Sequence, residues 1–89
     1  MKKITLFGSN HWSGCEPVKE FLSKNNIEYN YINITDSMLN LKIFLKFRDI
    51  NPFFDEIKKS GRVGIPTIMI NNGEKFIEGS VDLDLNELR

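Results

Sequence analysis

Residues 64–77 read GIPTIMINNGEKFI, and this stretch decides the class of fold. Residues 66–70 predict a short strand, which begins at a proline where the chain enters a sheet. The Asn72-Gly73 pair is typical of a hairpin turn and leads into a further strand at residues 75–77. The stretch therefore predicts an antiparallel pair of strands at the edge of a sheet.

The chain before this hairpin alternates between strand and helix patterns. Residues 3–7 are rich in β-formers and predict a strand that Gly8 ends, and residues 29–34 predict another. Between them, a helix is predicted over residues 14–24 because apolar residues recur at i, i+3 and i+4, namely Val18, Phe21 and Leu22. A strand–helix–strand start predicts a parallel pair, so the whole sheet is expected to be mixed.

The middle and the end of the chain add helices. Ser37 is a predicted cap for a helix that runs to about Phe47, and Pro52 restarts a shorter helix that ends at Gly61. After Gly79, a short terminal helix is predicted from three leucines, Leu83, Leu85 and Leu88. The order β-α-β-α-α-β-β-α predicts an α/β fold with a four-stranded mixed sheet and helices on both faces.

Composition limits the classes of function. With 89 residues, the chain is expected to form one domain, residues 1–89. Twelve basic and twelve acidic residues cancel, so the charge predicts neither a nucleic-acid partner nor a membrane partner. No apolar run is long enough for a secretory signal or a membrane span, and one cysteine suits a reducing cytoplasm. One cysteine and one histidine cannot by themselves complete a structural zinc site, so no metal is expected.

Cys15 is the first candidate for chemistry. Ser13 and Glu16 have the spacing of a capping box, whereas Pro17 favours a slightly later helix start. Both alternatives place Cys15 close to a helix N-terminus, where the helix dipole and free N–H groups lower a thiol pKa and favour the nucleophilic thiolate. The alternative is a small buried residue that anchors the helix.

The residues just before Cys15 form a candidate active-site loop. His11 can pair with a thiolate as an imidazolium, or it is a solvated loop residue. Trp12 can form one wall of a ligand groove, or it covers the core. Ser13 and Gly14 complete the loop.

The motif Gly64-Ile65-Pro66-Thr67 is the second candidate site. Pro66 follows Ile65 at a tight entry into the sheet and is a candidate cis proline, although an ordinary loop-to-strand proline has the same pattern. The residue before such a proline exposes its backbone N–H and C=O groups. An extended ligand can pair with the backbone of Ile65 as an added strand.

Two further positions predict anion binding. Gly79 and Ser80 open the predicted terminal helix, and free N–H groups at a helix start suit a carboxylate. Arg62, with Lys58 and Lys59, can hold a second carboxylate or simply form a solvated face.

Together these segments resemble the glutaredoxins over nearly the whole chain. Residues 15–22 (CEPVKEFL) resemble the helix after the family's Cys-x-x-Cys motif, and residues 60–66 (SGRVGIP) resemble the approach to its cis-proline loop. Residues 76–83 (FIEGSVDL) resemble its Gly-Gly-x-x-Asp-Leu end, while residues 38–55 are longer than in a typical member. The resemblance implies a thioredoxin-like fold.

In this register Trp12 stands in place of the first cysteine of the motif, and Cys15 occupies the second position. The resemblance implies a thiol–disulfide oxidoreductase that transfers electrons in cell redox homeostasis, with Cys15 as its catalytic residue and glutathione as co-substrate. It implies a glutathione groove at Ile65, Pro66, Arg62, Gly79 and Ser80. The expected partners are glutathione or protein thiols, and the expected state is a monomer or a weak homodimer.

Two other functions fit the same residues. The first is a redox-silent module that keeps the groove and binds glutathione or a thiol-containing protein partner, and its motive is Trp12 at the nucleophile position. The second is a regulatory or structural dimer that is linked or switched through Cys15.

Overall fold

The protein folds around a four-stranded sheet, as a computed structural model shows for residues 2–89. Met1, at which the predicted domain begins, lies outside the described residues. The strands are β1 (Ile4–Gly8), β2 (Asn30–Asn33), β3 (Thr67–Ile70) and β4 (Lys75–Glu78). Their order in the sheet is β2-β1-β3-β4. Strands β1 and β2 are parallel and the other two pairs are antiparallel, which confirms the predicted mixed sheet.

Three helices are α1 (Cys15–Lys24), α2 (Met38–Ile50) and α3 (Asp55–Lys59), and a 3-10 turn at Pro52–Phe54 precedes α3. The predicted cap is confirmed, because the Ser37 hydroxyl accepts a hydrogen bond from the Asn40 amide at 3.1 Å. Helix α2 continues past its predicted end at Phe47. Pro52 restricts only the residue before it, and Asn51 alone is extended there, with φ −86° and ψ 127°.

The two faces of the sheet carry separate apolar cores. Ile4 and Leu6 of β1 point to one face, and Phe7 points to the other, as strand alternation requires. On the α1 side the buried partners include Val18, Leu22, Ile68, Ile70 and Leu88. On the side of α2 and α3 they include Phe44, Phe54, Ile57, Met69 and Phe76. The prediction of helices on both faces is confirmed.

The connection between β3 and β4 is longer than its Asn72-Gly73 signal predicts. Ile70 pairs with Lys75, so the turn spans four residues, 71–74. Asn71 (φ 54°) and Gly73 (φ 91°) take the left-handed conformations that the reversal requires. The hairpin itself is confirmed.

The predicted short terminal helix is a single 3-10 turn at Leu85–Glu87, which begins well after Gly79. The Asp84 carboxylate accepts a hydrogen bond from the Asn86 amide at 3.0 Å and so starts the turn. Leu88, which follows the turn, is buried in the core on the α1 side of the sheet. Within residues 2–89, no helix has the length and apolarity needed to cross a membrane.

Candidate functional site

Two backbone turns shape the loop between β1 and α1. The Trp12 amide donates to the Ser9 carbonyl, and the Cys15 amide donates to the Trp12 carbonyl, each at 3.1 Å. These turns make Gly14 the residue before the first helical position, and no side chain caps the helix. The helix starts at Cys15, between the two alternatives of a cap at Ser13 and a later start at Pro17, and the expected position of Cys15 near the start of α1 is confirmed.

The Cys15 side chain lies inside the protein, with 1% of its surface exposed. Its Sγ atom packs on the backbone of β1, because a Cβ added to Gly8 would lie only 3.0 Å from it. The same added atom would lie 3.2 Å from Cε1 of Tyr31, so the tyrosine ring borders the same space. The Ser9 amide donates a hydrogen bond to Sγ at 3.4 Å.

Burial raises the pKa of the Cys15 thiol above its ordinary value. The hydrogen bond from Ser9 and the charge of Lys19 act in the opposite direction, and the charge of Glu16 adds to the rise. Two positions further along α1, Pro17 has no N–H group to offer a thiolate. Cys15 at rest is therefore a neutral, buried thiol, and its role as a nucleophile stays a prediction.

A cover of three residues lies beside this thiol. The Lys19 ammonium lies 4.3 Å from the centre of the Tyr31 ring, and the Tyr31 hydroxyl donates to the Asn10 side chain at 2.9 Å. Burial also raises the pKa of Tyr31. This arrangement of Lys19, Tyr31 and Asn10 was not predicted from the sequence. The sequence does carry a signal for the burial of Cys15, because Cys15, Val18 and Leu22 follow the i, i+3, i+7 spacing of one helix face.

A separate cavity of about 280 Å³ lies beside the loop before β3, and we call it the Trp12–Pro66 groove. Five of the predicted site residues line it, namely Trp12, Arg62, Ile65, Pro66 and Gly79. His11, Ser13, Gly14, Cys15 and Ser80 are not among its lining residues. The Ile65–Pro66 peptide bond is cis.

The floor of the groove depends on Gly79. Its amide donates to the Pro66 carbonyl at 3.0 Å, and an added Cβ would lie 3.0 Å from Cβ of Pro66. The Trp12 indole and Pro66 border the same space beside Gly14. A Cβ added to Gly14 would lie 3.5 Å from Nε1 of Trp12 and 3.9 Å from Cδ of Pro66. Among the residues that the structure describes, neither the amide nor the carbonyl of Ile65 has a hydrogen-bond partner.

The rim of the groove is polar. Arg62 lies 3.6 Å from the Glu78 carboxylate and also donates to the Ser60 hydroxyl at 2.9 Å. Arg48 of α2 holds the adjoining loop, because its guanidinium donates to the carbonyls of Val63 at 2.6 Å and Arg62 at 2.7 Å. The sequence gives no signal for this role of Arg48, which depends on how α2 packs beside the loop.

Two predicted anion sites have different outcomes. No helix begins at Gly79 and Ser80, so the predicted helix-start site there is wrong, and the Ser80 hydroxyl donates instead to Asp82 at 2.7 Å. The first helical turn after β4 begins only where Asp84 caps it. Lys58 and Lys59 pair with acids one turn earlier in α3, at 3.9 and 3.8 Å, and only Arg62 of the three lines the groove.

Comparisons with known proteins identify the family. The family model described as Glutaredoxin matches residues 4–77. An uncharacterized protein of Haemophilus influenzae is 33% identical over 89 residues, which is 100% of this chain and 96% of that protein. Within residues 2–89, no group of three or more His, Cys, Asp or Glu side chains is arranged to hold a metal ion. The match over most of the chain, on a mixed sheet with the expected loop before β3, means that this protein belongs to the glutaredoxin family.

Proposed function

We propose that this protein is a redox-silent binding module, which holds glutathione or a cysteine-containing protein segment in the Trp12–Pro66 groove. One observation carries the proposal. Trp12 lines the groove, whereas the buried thiol of Cys15 is not among the lining residues. In the register that the resemblance implies, Trp12 stands where the family has its first cysteine. An indole binds a ligand by contact and forms no disulfide.

The backbone of Ile65 supports binding of an extended ligand. Its amide and carbonyl have no partner among the described residues, and they stand just before β3, where a ligand strand can pair with both. Each such hydrogen bond contributes about 0.5–1.5 kcal/mol net. Arg62 at the rim supplies a cation for a ligand carboxylate, in competition with Glu78.

The test is a titration of the ¹⁵N-labelled protein with reduced glutathione, followed by amide chemical shifts. We expect shifts at Ile65 and Gly79 and at the Trp12 indole N–H, because these groups line the groove. The amides around Lys2 and Leu88 serve as the internal reference, because they border a different depression. Unchanged groove signals at millimolar glutathione, and with a cysteine-containing peptide, would contradict the proposal.

A second candidate is thiol–disulfide exchange by Cys15, and the Ser9 amide favours it. That N–H group points at Sγ and stabilises a thiolate once the thiol has lost its proton. The thiolate would attack the glutathione sulfur of a mixed disulfide between glutathione and another thiol, forming a Cys15–glutathione disulfide and releasing that thiol. A glutathione thiolate would then attack the glutathione sulfur of this disulfide, forming oxidised glutathione and releasing the Cys15 thiolate.

The pH dependence of Cys15 alkylation, with mass analysis after incubation with oxidised glutathione, separates the two candidates. A glutathione adduct on the native protein, with alkylation that begins well below the pH range of a free thiol, supports exchange. A thiol that reacts only on unfolding contradicts exchange and leaves the binding module.

We further propose that the protein works in the reducing cytoplasm as a monomer or a weak homodimer, as a single free cysteine suits.

A further inference from the structure

The turn that joins β3 to β4, residues 71–74, contains two asparagines whose side chains have different surroundings. The Asn71 carboxamide is held at both ends, because its oxygen accepts from the Lys3 amide at 2.9 Å and its nitrogen donates to the Glu74 carboxylate at 2.8 Å. The Asn72 side chain is exposed and has no hydrogen-bond partner among residues 2–89. The carboxamide of Asn72 is therefore free to change its orientation, whereas that of Asn71 is fixed.

The backbone amide of Gly73, which follows Asn72, also lacks a hydrogen-bond partner among the described residues. The amides on either side of this pair, those of Asn71 and Glu74, donate to backbone carbonyls at 2.7 and 3.2 Å. Glycine has no side chain to shield its nitrogen, and Asn72 is the only asparagine in the sequence that precedes a glycine. An unshielded backbone nitrogen and a free carboxamide are therefore adjacent at the tip of this turn.

From these features we propose that Asn72 is a site of spontaneous deamidation, with water as the only co-reactant. The Gly73 nitrogen gives up its proton and attacks the side-chain carbonyl carbon of Asn72, and the carboxamide nitrogen takes up a proton and leaves as ammonia. The product is a five-membered succinimide ring. Water then opens the ring at one of its two carbonyl carbons and restores the N–H group, which gives aspartate or isoaspartate. Neither step oxidises or reduces the chain.

The isoaspartate product lengthens the main chain by a methylene group inside a turn that packs closely. Gly73 lies against helix α2, since an added Cβ would lie 3.0 Å from Cε1 of Phe47. The Phe47 ring in turn packs beside the rings of Phe7 and Phe76, with centroids 6.3 and 5.7 Å away. We therefore expect isoaspartate to lower the thermal midpoint by about 4–8 °C, whereas the variant Asn72→Asp, with an unaltered main chain, should stay within about 3 °C of wild type.

The test incubates the folded protein in warm, mildly alkaline buffer beside a synthetic peptide of residues 69–76, which serves as the clock. Brief digestion at acidic pH and mass mapping locate each lost ammonia, and an isoaspartate-specific carboxyl methyltransferase reports the isoaspartate. We expect Asn72 to be converted first, with Asn71 intact. Its rate should lie within about tenfold of the peptide's rate, because no hydrogen bond has to break before the attack.

Two variants locate the reaction. Asn72→Gln cannot form the five-membered ring, so it is expected to keep its mass and its thermal midpoint through the same incubation. Asn86→Gln is the matched control, because Asn86 is an exposed asparagine whose side chain has no partner among the described residues but which precedes a glutamate. It is expected to age as wild type does, and thermal melting before incubation checks that both variants are folded.

Three outcomes would contradict the proposal. Conversion of Asn71 or Asn86 ahead of Asn72, or an intact Asn72 after the peptide has fully reacted, overturns the modification site. Isoaspartate at position 72 with an unchanged thermal midpoint confirms the site and overturns its effect on the packing of the turn against Phe47.

Discussion

The turn that begins α1 places two neighbouring side chains in opposite surroundings. Trp12 is 53% exposed and borders an open groove, whereas Cys15 is 1% exposed and packs on the backbone of β1. The hydrogen bond from the Cys15 amide to the Trp12 carbonyl ties the two residues together.

The two surroundings also differ in what holds them. The thiol region depends on close contact, with Gly8 leaving room for Sγ and Tyr31 beside it. The groove depends on backbone hydrogen bonds, from Gly79 to Pro66 and from Arg48 to the loop. The comparison teaches that a cysteine at a helix N-terminus can still have a raised pKa, because desolvation by burial is the largest contribution at Cys15.

The largest expected effect is on the groove side, at Gly79→Ala. The added Cβ would lie 3.0 Å from Cβ of Pro66 and 3.1 Å from the Pro66 carbonyl oxygen, and backbone atoms yield little. We expect a loss of about 2–3 kcal/mol in the free energy of unfolding and weaker binding of glutathione. Urea denaturation and the glutathione titration measure both.

Gly14→Ala is the matched control for this change. Its nearest neighbours, atoms of the Trp12 ring, would lie at an ordinary 3.5 Å, so we expect a change within about 0.5 kcal/mol. Equal costs for the two substitutions would mean that Gly79 is not a closely packed floor of the groove.

The next effect is on the thiol side, at Gly8→Ala. The methyl group would lie 3.0 Å from Sγ of Cys15, which is a side-chain atom and yields more readily than backbone. We expect a loss of about 1–2 kcal/mol. In the double variant Gly8→Ala/Cys15→Ala the methyl group occupies the space that the sulfur leaves, so the combined loss should fall below the sum of the single losses. Additive losses would show that the two side chains do not share one space.

The smallest effect is a difference in pH dependence. Below the pKa of an unfolded thiol, about 8.5, Cys15 is protonated in both states and its contribution is fully present. As the pH rises above that value, the unfolded chain releases the proton while the buried thiol keeps it, so stability falls. Wild type should lose up to about 1.4 kcal/mol per pH unit more than Cys15→Ala.

Denaturation midpoints between neutral and alkaline pH measure this difference. Cys15→Ala keeps Tyr31, whose pKa is raised first by burial and then by the charge of Cys15, so the comparison reports the thiol together with its effect on Tyr31. Parallel curves, or a wild type that gains stability at alkaline pH, would contradict the raised pKa and favour a reactive thiolate.

The sequence predicts the fold better than it predicts the site. Ser37 and Pro52 act through local backbone chemistry, so their effects were predictable from neighbouring residues. Ser13 has the same local signal, but the turn closed by the Trp12 carbonyl moves the helix start past it. No helix begins at Gly79 and Ser80, because the Gly79 amide donates to the Pro66 carbonyl and the first helical turn begins only after Asp84. Such outcomes depend on contacts between distant segments.

The hydrogen bonds from Arg48 to the loop before β3 affect how the ligand specificity of this protein can change by mutation. Arg48 holds the carbonyl groups of Arg62 and Val63, which every amino acid possesses, so these hydrogen bonds do not depend on which side chains stand at the two positions. Substitutions at these two positions can therefore alter what the groove accepts while the path of the loop is retained. The hydrogen bonds from Arg48 keep the conformation of the loop, while the side chains at positions 62 and 63 contribute to ligand specificity. A few substitutions can therefore change the ligand that the groove binds.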